Sequence, residues 1–171
     1  MSVTSMLTKV AVGLVVCFIA VGALLFWVVD PLYLKAPKDR ELIKVFQDHR
    51  AAFEQLRQMA TEDSVSYLTE SDLDARLSDM RRQKYKSLLS EIRPSLTVTT
   101  YKQSVRFIFA SGGGLLAIGP GWLKGIEYLP GGTDREGVVL ENLDQPASLA
   151  TGDVYLRQIE PNWFVIVQKT D

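Results

Sequence analysis

The chain has 171 residues, of which 47% are hydrophobic and 23% are charged, and its formal net charge is -1. This length provides for one modest domain, and the near-neutral charge excludes the strong basic field that non-specific nucleic-acid binding requires. The composition excludes disordered, collagen-like and disulfide-scaffold proteins. With one cysteine and one histidine, the chain lacks the ligands of a Cys/His zinc site and of a Cys-x-x-Cys pair, and we expect neither a metal nor a cofactor.

The first predicted element is a transmembrane helix over residues 10–29, after a short tail over residues 1–9. The segment reads VAVGLVVCFIAVGALLFWVV and contains no charged residue. A helix of this length, at about 1.5 Å per residue, spans the ~30 Å apolar layer of a bilayer. Asp30-Pro31 ends it, and Trp27 lies near its far end, where aromatic rings favour the membrane interface. A buried soluble helix and a cleaved signal peptide are the alternatives, but no Ala-x-Ala site follows the apolar stretch.

The charges around this helix bear on its orientation. The basic residues are Lys9 before the span and Lys35, Lys38 and Arg40 after it. Their number slightly favours a cytoplasmic domain, but a large domain crosses a membrane largely regardless of its charge. We favour an amino terminus inside a bacterial inner (plasma) membrane and a periplasmic or otherwise extracytoplasmic domain, which tolerates an oxidising compartment because its sequence has no cysteine.

Two small residues within the span bear on self-association. Gly13 and Cys17 are four positions apart, as in the small-xxx-small pattern that lets two membrane helices approach closely. Such pairs also arise by chance in apolar helices. We therefore expect at most a weak homodimer through the transmembrane helix.

A linker over residues 30–38 leads to an amphipathic helix that begins at Asp39. Apolar residues then recur at spacings of three and four, which is the pattern of a helix that buries one face. They are Leu42, Phe46, Phe53, Leu56, Met59 and Ala60. His49 lies within this stripe, so we interpret it as a packed, hydrogen-bonded ring in preference to a catalytic or pH-sensing group.

A second amphipathic helix is predicted from Ser71, with Asp74 three residues later as an imperfect capping box, to Ile92, ahead of Pro94. Its exposed face is basic, with Arg76, Arg81, Arg82, Lys84 and Lys86. Such a face can bind phosphates or anionic lipid, but acidic residues interleave with the basic ones. We favour a solvated face.

After Pro94 the apolar pattern alternates, as it does in half-buried antiparallel strands. The strands follow one another with short turns, so residues 39–171 are predicted to form one α+β domain, with two amphipathic helices packed on a five- or six-stranded antiparallel sheet. Gly112–Gly114 resembles part of a dinucleotide-binding fingerprint, but that chemistry requires a helix to begin there. We interpret these glycines as a hairpin turn that needs positive φ.

No nucleophile elbow, zinc-protease, phosphate-binding or calcium-loop motif occurs in the sequence. We therefore predict that the protein is not an enzyme. The enzymatic alternative uses His49 with a nearby carboxylate, and it requires that His49 be accessible in a cleft.

Six residues are candidate binding residues: Trp122, Lys124, Tyr128, Asp144, Arg157 and Trp163. Exposed aromatic side chains beside arginine are favoured in protein interfaces. A structural interpretation competes with this one. In it, Lys124 and Arg157 pair with Asp144 or Glu127 across neighbouring strands, while the aromatic rings pack beneath them.

A resemblance rests on the same region. The residues that carry it are Lys124, Gly125 and Tyr128, then Leu143-Asp144, then Tyr155, Ile159, Trp163 and Phe164. Over residues 38–168 the chain resembles a group of small bacterial envelope proteins that have no assigned activity, are anchored by an amino-terminal helix or lipid, and have two helices before a sheet. The resemblance implies the architecture and an envelope location only.

Together these observations predict a membrane-anchored domain that acts by binding a protein, as an inhibitor, an immunity factor or an accessory subunit. The alternative is a module that binds a small ligand or lipid under the two helices, in a pocket lined by Phe107, Trp122 and Trp163. The expected partners are the lipid bilayer and an unidentified protein, and no nucleic acid.

Overall fold

The computed structural model describes residues 13–23, 36–73, 75–115, 118–132, 137–144, 149–150 and 152–170. The helices within this part of the chain are α1 (residues 13–23), α2 (Asp39–Asp48), α3 (Arg50–Glu62) and α4 (Asp79–Ile92). The strands are β1 (Tyr67–Leu68), β2 (Thr97–Tyr101), β3 (Ser104–Leu115), β4 (Ile118–Tyr128), β5 (Val138–Val139), β6 (Val154–Glu160) and β7 (Trp163–Thr170).

Only part of the predicted transmembrane helix falls within the described ranges. Residues 13–23 are helical and their side chains are exposed. Residues 10–12 and 24–29, the tail over residues 1–9 and linker residues 30–35 lie outside these ranges. Among the residues that the structure describes, no helix combines the length and the apolar character that crossing a membrane requires.

The first predicted amphipathic helix is present but divided. The backbone of His49, at φ -119° and ψ 25°, departs from helical geometry, ending α2 and preceding α3. The apolar stripe still faces inward, because Leu42, Phe46, Phe53 and Leu56 are at most 1% exposed. The sequence pattern therefore identified the buried face correctly and missed the break.

The predicted start of the second helix at Ser71 is wrong. Ser71 contacts the Thr69 hydroxyl at 3.2 Å, and Thr69 and Asp72 exchange backbone hydrogen bonds, which close a turn there. Ser78 is the true N-cap, since its hydroxyl accepts a hydrogen bond from the Arg81 amide at 3.3 Å. The predicted end at Ile92 is confirmed.

The sheet has seven strands in the order β1-β2-β3-β4-β7-β6-β5. The α+β class is confirmed, but the prediction of five or six antiparallel strands is wrong on two points. Two strands of two residues each, β1 and β5, extend the sheet at its edges. Neighbouring strands pair antiparallel except β5 and β6, which are parallel.

The glycine run is not a turn. Gly112 lies within β3 opposite Trp122, and Gly113 pairs with Gly121. A Cβ atom at Gly112 would lie 2.8 Å from the Trp122 indole, so close packing, and not positive φ, requires glycine there. The last described pair of β3 and β4 is Leu115 with Ile118, and the two residues between them lie outside the described ranges.

The main core lies between the helices and one face of the sheet, and aromatic rings fill its centre. Phe46 and Trp163 have ring centroids 4.9 Å apart, and Phe53 and Phe107 are also 4.9 Å apart. These four rings are at most 1% exposed. The space under α2 and α3 that the ligand-binding alternative requires is occupied here by packed side chains.

Candidate functional site

Four charged side chains meet where α2 begins, on the helix-covered side of the sheet. Lys124 Nζ lies 2.7 Å from Asp39 Oδ1 and 2.8 Å from Asp144 Oδ1. Arg157 Nη1 lies 2.9 Å from Asp39 Oδ2. Lys124 and Asp39 are fully buried, whereas the side chains of Asp144 and Arg157 are 25% and 33% exposed. We call these four residues the charge cluster.

The charge cluster joins parts of the chain that are distant in sequence. Asp39 is the first residue of α2, and its amide donates to Asp144 Oδ1 at 2.8 Å. The Leu143 amide donates to Asp39 Oδ2, also at 2.8 Å. Lys124 comes from β4 and Arg157 from β6. Asp144 thus satisfies a free amide at the helix start, where its negative charge is also favourable.

Charge compensation determines the pKa of Asp39. Burial is the largest single influence and acts to raise this pKa. Hydrogen bonds from Lys124, the Leu143 amide and Arg157 together outweigh burial and lower the pKa below its ordinary value. Two carboxylates and two cations leave the cluster with no net charge, as a structural ion network requires.

The structure places three of the six predicted binding residues together, two at the other end of the core, and Trp122 on β4 opposite Gly112. Lys124, Asp144 and Arg157 belong to the charge cluster. Tyr128 and Trp163 lie at the other end of the core, with ring centroids 5.2 Å apart. Trp163 is 1% exposed and Trp122 is 5% exposed. Truncation of either tryptophan would therefore disturb packing, so neither side chain can test surface recognition.

The proposed cross-strand pairs are partly correct. Lys124 pairs with Asp144, one of the two partners that the structural interpretation left open, but Asp144 follows β5, which is not a neighbour of β4 in the sheet. Arg157 pairs with Asp39, which the sequence analysis did not single out as a site residue. Glu127 pairs instead with Arg106, at 3.1 Å. Successive strand residues point to opposite faces, so Lys124 and Glu127, three apart, cannot share a face.

A surface concavity lies beside the charge cluster, at the β5 edge. A concavity of about 490 Å³ is lined by Val139, Leu140, Glu141, Arg157 and Gln158. Val138 and Val139 are 48% and 51% exposed. We call the lining residues and Val138 the β5 surface. It offers adjacent apolar side chains next to a guanidinium that Asp39 holds in place.

Another surface region, lined by polar and charged side chains, lies between α4 and the loop that precedes it. Two adjoining concavities of about 490 and 510 Å³ share Glu70, Ser71 and Lys86. Arg82, which also lines this region, bonds to Asp79, and Arg81 bonds to Glu62 and Asp63. Neighbouring acids thus compensate part of the basic face of α4.

His49 differs from its prediction as a packed ring. Its side chain is 32% exposed, and Nδ1 lies 3.8 Å from Glu91 Oε1, beyond hydrogen-bonding distance. Within the described ranges, no group of three or more histidine, cysteine or acidic side chains is arranged to hold a metal ion.

Comparison with known proteins adds no relative. No family model matches the chain, and neither the curated proteins nor the solved structures contain a significant match. The likeness to small bacterial envelope proteins therefore stays a prediction from short motifs.

Proposed function

We propose that the protein is a single-pass membrane protein whose extracytoplasmic α+β domain binds another protein, as an inhibitor, an immunity factor or an accessory subunit. The anchor is supported by the uncharged sequence over residues 10–29, which is long enough for a bilayer. The helix anchors the domain to the bacterial inner membrane, and the domain carries out no chemistry of its own.

The β5 surface carries the protein-binding proposal. β5 is the last described strand on its side of the sheet, and edge strands are templates for strands of other chains. Val138 and Val139 are about half exposed, so apolar area is available to a partner. Arg157 is held by Asp39 at 2.9 Å, which reduces the entropy that a partner must remove when it contacts the guanidinium.

The ligand-binding alternative draws no support from the core. Phe107 and Trp163, two of its three expected lining residues, have ring centroids 5.9 Å apart and are at most 1% exposed. They are part of the packed interior and not the wall of a cavity.

The proposal is tested with the tagged full chain, extracted from its native membranes in mild detergent. We expect a stoichiometric protein partner. Val139→Asp places a charge on the β5 surface and should weaken binding of the purified partner by about tenfold or more, because each tenfold corresponds to about 1.4 kcal/mol.

The matched control is Met80→Asp. Met80 is 82% exposed on α4, so this variant adds the same charge at an apolar position distant in sequence from β5. It should bind the partner like the wild type. The absence of any stoichiometric partner, or an equal loss in both variants, would contradict the proposal.

A further inference from the structure

The face of the sheet that is turned away from α2 and α3 has a sealed half and an open half. On β6 and β7 its side chains include Leu156, Phe164 and Ile166, which are at most 1% exposed. Leu129 and Val154 pack against them. On β1, β2 and β3 the side chains of the same face are half-buried or exposed, and we call them the open face: Tyr67, Thr97, Thr99, Tyr101, Ser104, Arg106 and Ile108.

Two tyrosine rings project from the open face. Leu68 and Val98 form a cross-strand pair that is buried in the main core. Side chains alternate along a strand, so the adjacent pair, Tyr67 and Thr99, projects from the opposite face. Tyr101 follows Thr99 by two residues and shares its face, which makes it a diagonal neighbour of Tyr67 at about 7–8 Å. Tyr67 is 51% exposed and Tyr101 is 72% exposed.

A guanidinium is held in place beside the two rings. Arg106 on β3 lies opposite Thr99 of β2 and Glu127 of β4. Tyr67, opposite Thr99, extends this row to four strands, or about 15 Å. Arg106 donates to Glu127 at 3.1 to 3.3 Å and to Gln168 at 2.7 Å. Glu127 is 4% exposed and the Arg106 side chain is 22% exposed, so the cation is the more accessible of the two charges.

The accessible charge of the open face is positive. A guanidinium has five N–H groups, and the four hydrogen bonds that Arg106 makes within the described part of the chain leave at least one for a ligand. Lys102 follows Tyr101 in an exposed turn, and its Nζ lies 5.1 Å from the centre of the Tyr101 ring. None of the residues that define the open face is acidic. This face therefore complements a ligand that carries negative charge.

The combination of rings and hydroxyl groups favours a carbohydrate. A sugar ring has a face of C–H groups, which stacks on an aromatic ring, and a rim of hydroxyl groups, which hydrogen-bonds to hydroxyl and guanidinium groups. The open face offers both, since Thr97 and Thr99 lie beside the tyrosines on β1 and β2. A protein interface is centred on a contiguous apolar patch, whereas Ile108 is the one aliphatic residue of this face. A nucleic acid requires a basic field that a net charge of -1 does not provide.

We propose that the open face binds an oligosaccharide strand that carries carboxylate groups. Sugar rings stack on Tyr67 and Tyr101, and a carboxylate lies near Arg106 and Lys102. This inference goes beyond the proposed function, because five strands separate β1 from β5 in the sheet. The open face and the β5 surface thus lie at opposite edges of the sheet and can be occupied together.

The test measures binding of four oligosaccharides to the full chain by isothermal titration calorimetry. The chain is purified in a polyoxyethylene detergent, because a detergent with a sugar headgroup would compete for the site. The probes with carboxylates are an oligogalacturonate and a hyaluronan oligosaccharide, and the neutral probes are chitohexaose and cellohexaose. We expect the probes with carboxylates to bind at least about tenfold more tightly, because charge-assisted hydrogen bonds are the stronger ones.

Substitutions assign the binding to the open face. Tyr101→Ala removes the more exposed ring and should weaken binding about fivefold or more, and Tyr67→Ala provides a second test at the other ring. Tyr101→Phe retains the ring and should restore most of the affinity. Lys102→Gln should weaken binding of the probes with carboxylates and leave that of the neutral probes unchanged. Val139→Asp, on the β5 surface, is the control and should bind the oligosaccharides like the wild type.

Urea unfolding of each variant separates a loss of binding from a loss of folding. The absence of binding to all four probes, or equal affinity of the wild type and both alanine variants, overturns the inference. A preference for the neutral probes contradicts the assignment of a carboxylate. If Tyr101→Ala instead weakens capture of the protein partner and no oligosaccharide binds, the open face is a protein contact and the inference is wrong. Loss of the protein partner in Val139→Asp alone bears only on the proposed function.

Discussion

Two buried carboxylates, on opposite faces of the same sheet, have pKa values shifted in opposite directions. Asp39 is 0% exposed and Glu127 is 4% exposed. The pKa of Asp39 lies below its ordinary value, since hydrogen bonds and nearby cations outweigh burial. The pKa of Glu127 is raised, chiefly by burial, which the contact with Arg106 does not fully offset.

The difference lies in how far the donors around each carboxylate offset the effect of burial on its pKa. Asp39 accepts from Arg157 and the Leu143 amide and lies 2.7 Å from Lys124. Glu127 accepts from Arg106 at 3.1 to 3.3 Å, a guanidinium that also donates to Gln168 at 2.7 Å, and a hydrogen bond from Ser104 acts in the same direction on its pKa. Burial disfavours the ionised form at both sites, and the donors outweigh it at Asp39 but not at Glu127.

The largest effect is expected from Lys124→Met, which breaks the better-compensated site. Asp39 would lose its closest cation, and Asp144 would lose its 2.8 Å contact with the Lys124 ammonium. Removing one partner of a buried ion network costs about 3–5 kcal/mol. Urea unfolding of the full chain in mild detergent measures this loss.

Lys44→Met is the matched control. Lys44 forms an ion pair with Asp48, but its side chain is 73% exposed, and such helix-surface pairs contribute about 0.3–0.5 kcal/mol. Equal destabilisation by the two substitutions would mean that the charge cluster is not a stabilising network.

A smaller loss, about 2 kcal/mol at neutral pH, is expected from Asp39→Asn, because hydrogen bonds to a charged group contribute about 1.5–3 kcal/mol each and the amide retains some of them. The depressed pKa of Asp39 stabilises the wild type above the ordinary value of 3.8, and this stability is lost as pH falls through the folded-state pKa. The difference in free energy of unfolding between the wild type and Asp39→Asn should therefore decrease below about pH 4. Unfolding curves across the acid range check this, and a gap that widens would contradict it.

The sequence predicted the fold better than it predicted the contacts of the site. Apolar residues spaced three and four apart identified the buried face from Leu42 to Leu56. Alternating apolar residues after Pro94 identified the strands, and the two patterns together gave the α+β class. Both patterns could be recognised because they are local in the sequence. The strands β1 and β5 contain two residues each, which is too short for any alternation to be visible. The break at His49 left the apolar spacing intact and so left no signal.

At the site too, the sequence could not reveal contacts between residues that are far apart in the chain. Asp144 was one of the two partners considered for Lys124, although this contact joins β4 to the segment after β5, and β7 and β6 lie between these strands in the sheet. Asp39 was missed because it is 105 residues from Asp144 and 118 from Arg157, and its sequence position indicates only a favourable acidic residue in the first turn of a helix. Lys124 and Glu127 are three residues apart on β4, so the alternation of side chains along a strand would by itself have excluded Glu127 from the face of the sheet that carries Lys124.

Arg157→Gln distinguishes the structural from the recognition role of the charge cluster. The Arg157 side chain is 33% exposed and makes one 2.9 Å contact with Asp39. Because solvent screens a partly exposed ion pair, removing the guanidinium should lower the free energy of unfolding by only about 1 kcal/mol. If Arg157 also contacts the partner, binding should weaken by about tenfold or more. Stability and binding are measured on the same preparation, with Arg40→Gln as the control at an exposed arginine on α2. Unchanged partner binding would restrict Arg157 to a structural role.

Glu127→Gln should have the smallest effect and the opposite dependence on pH. The amide removes a buried charge that is incompletely compensated, so the loss at neutral pH should not exceed about 1 kcal/mol. A raised folded-state pKa means that the wild type gains stability as pH falls from that pKa toward the ordinary value of 4.5. Glu127→Gln lacks this gain, so its free energy of unfolding should fall relative to that of the wild type between the folded-state pKa of Glu127 and pH 4.5. Asp39→Asn should instead approach the stability of the wild type, and only at pH values below that interval. If both variants followed the same trend with pH, burial and not the arrangement of cations would control the two carboxylates.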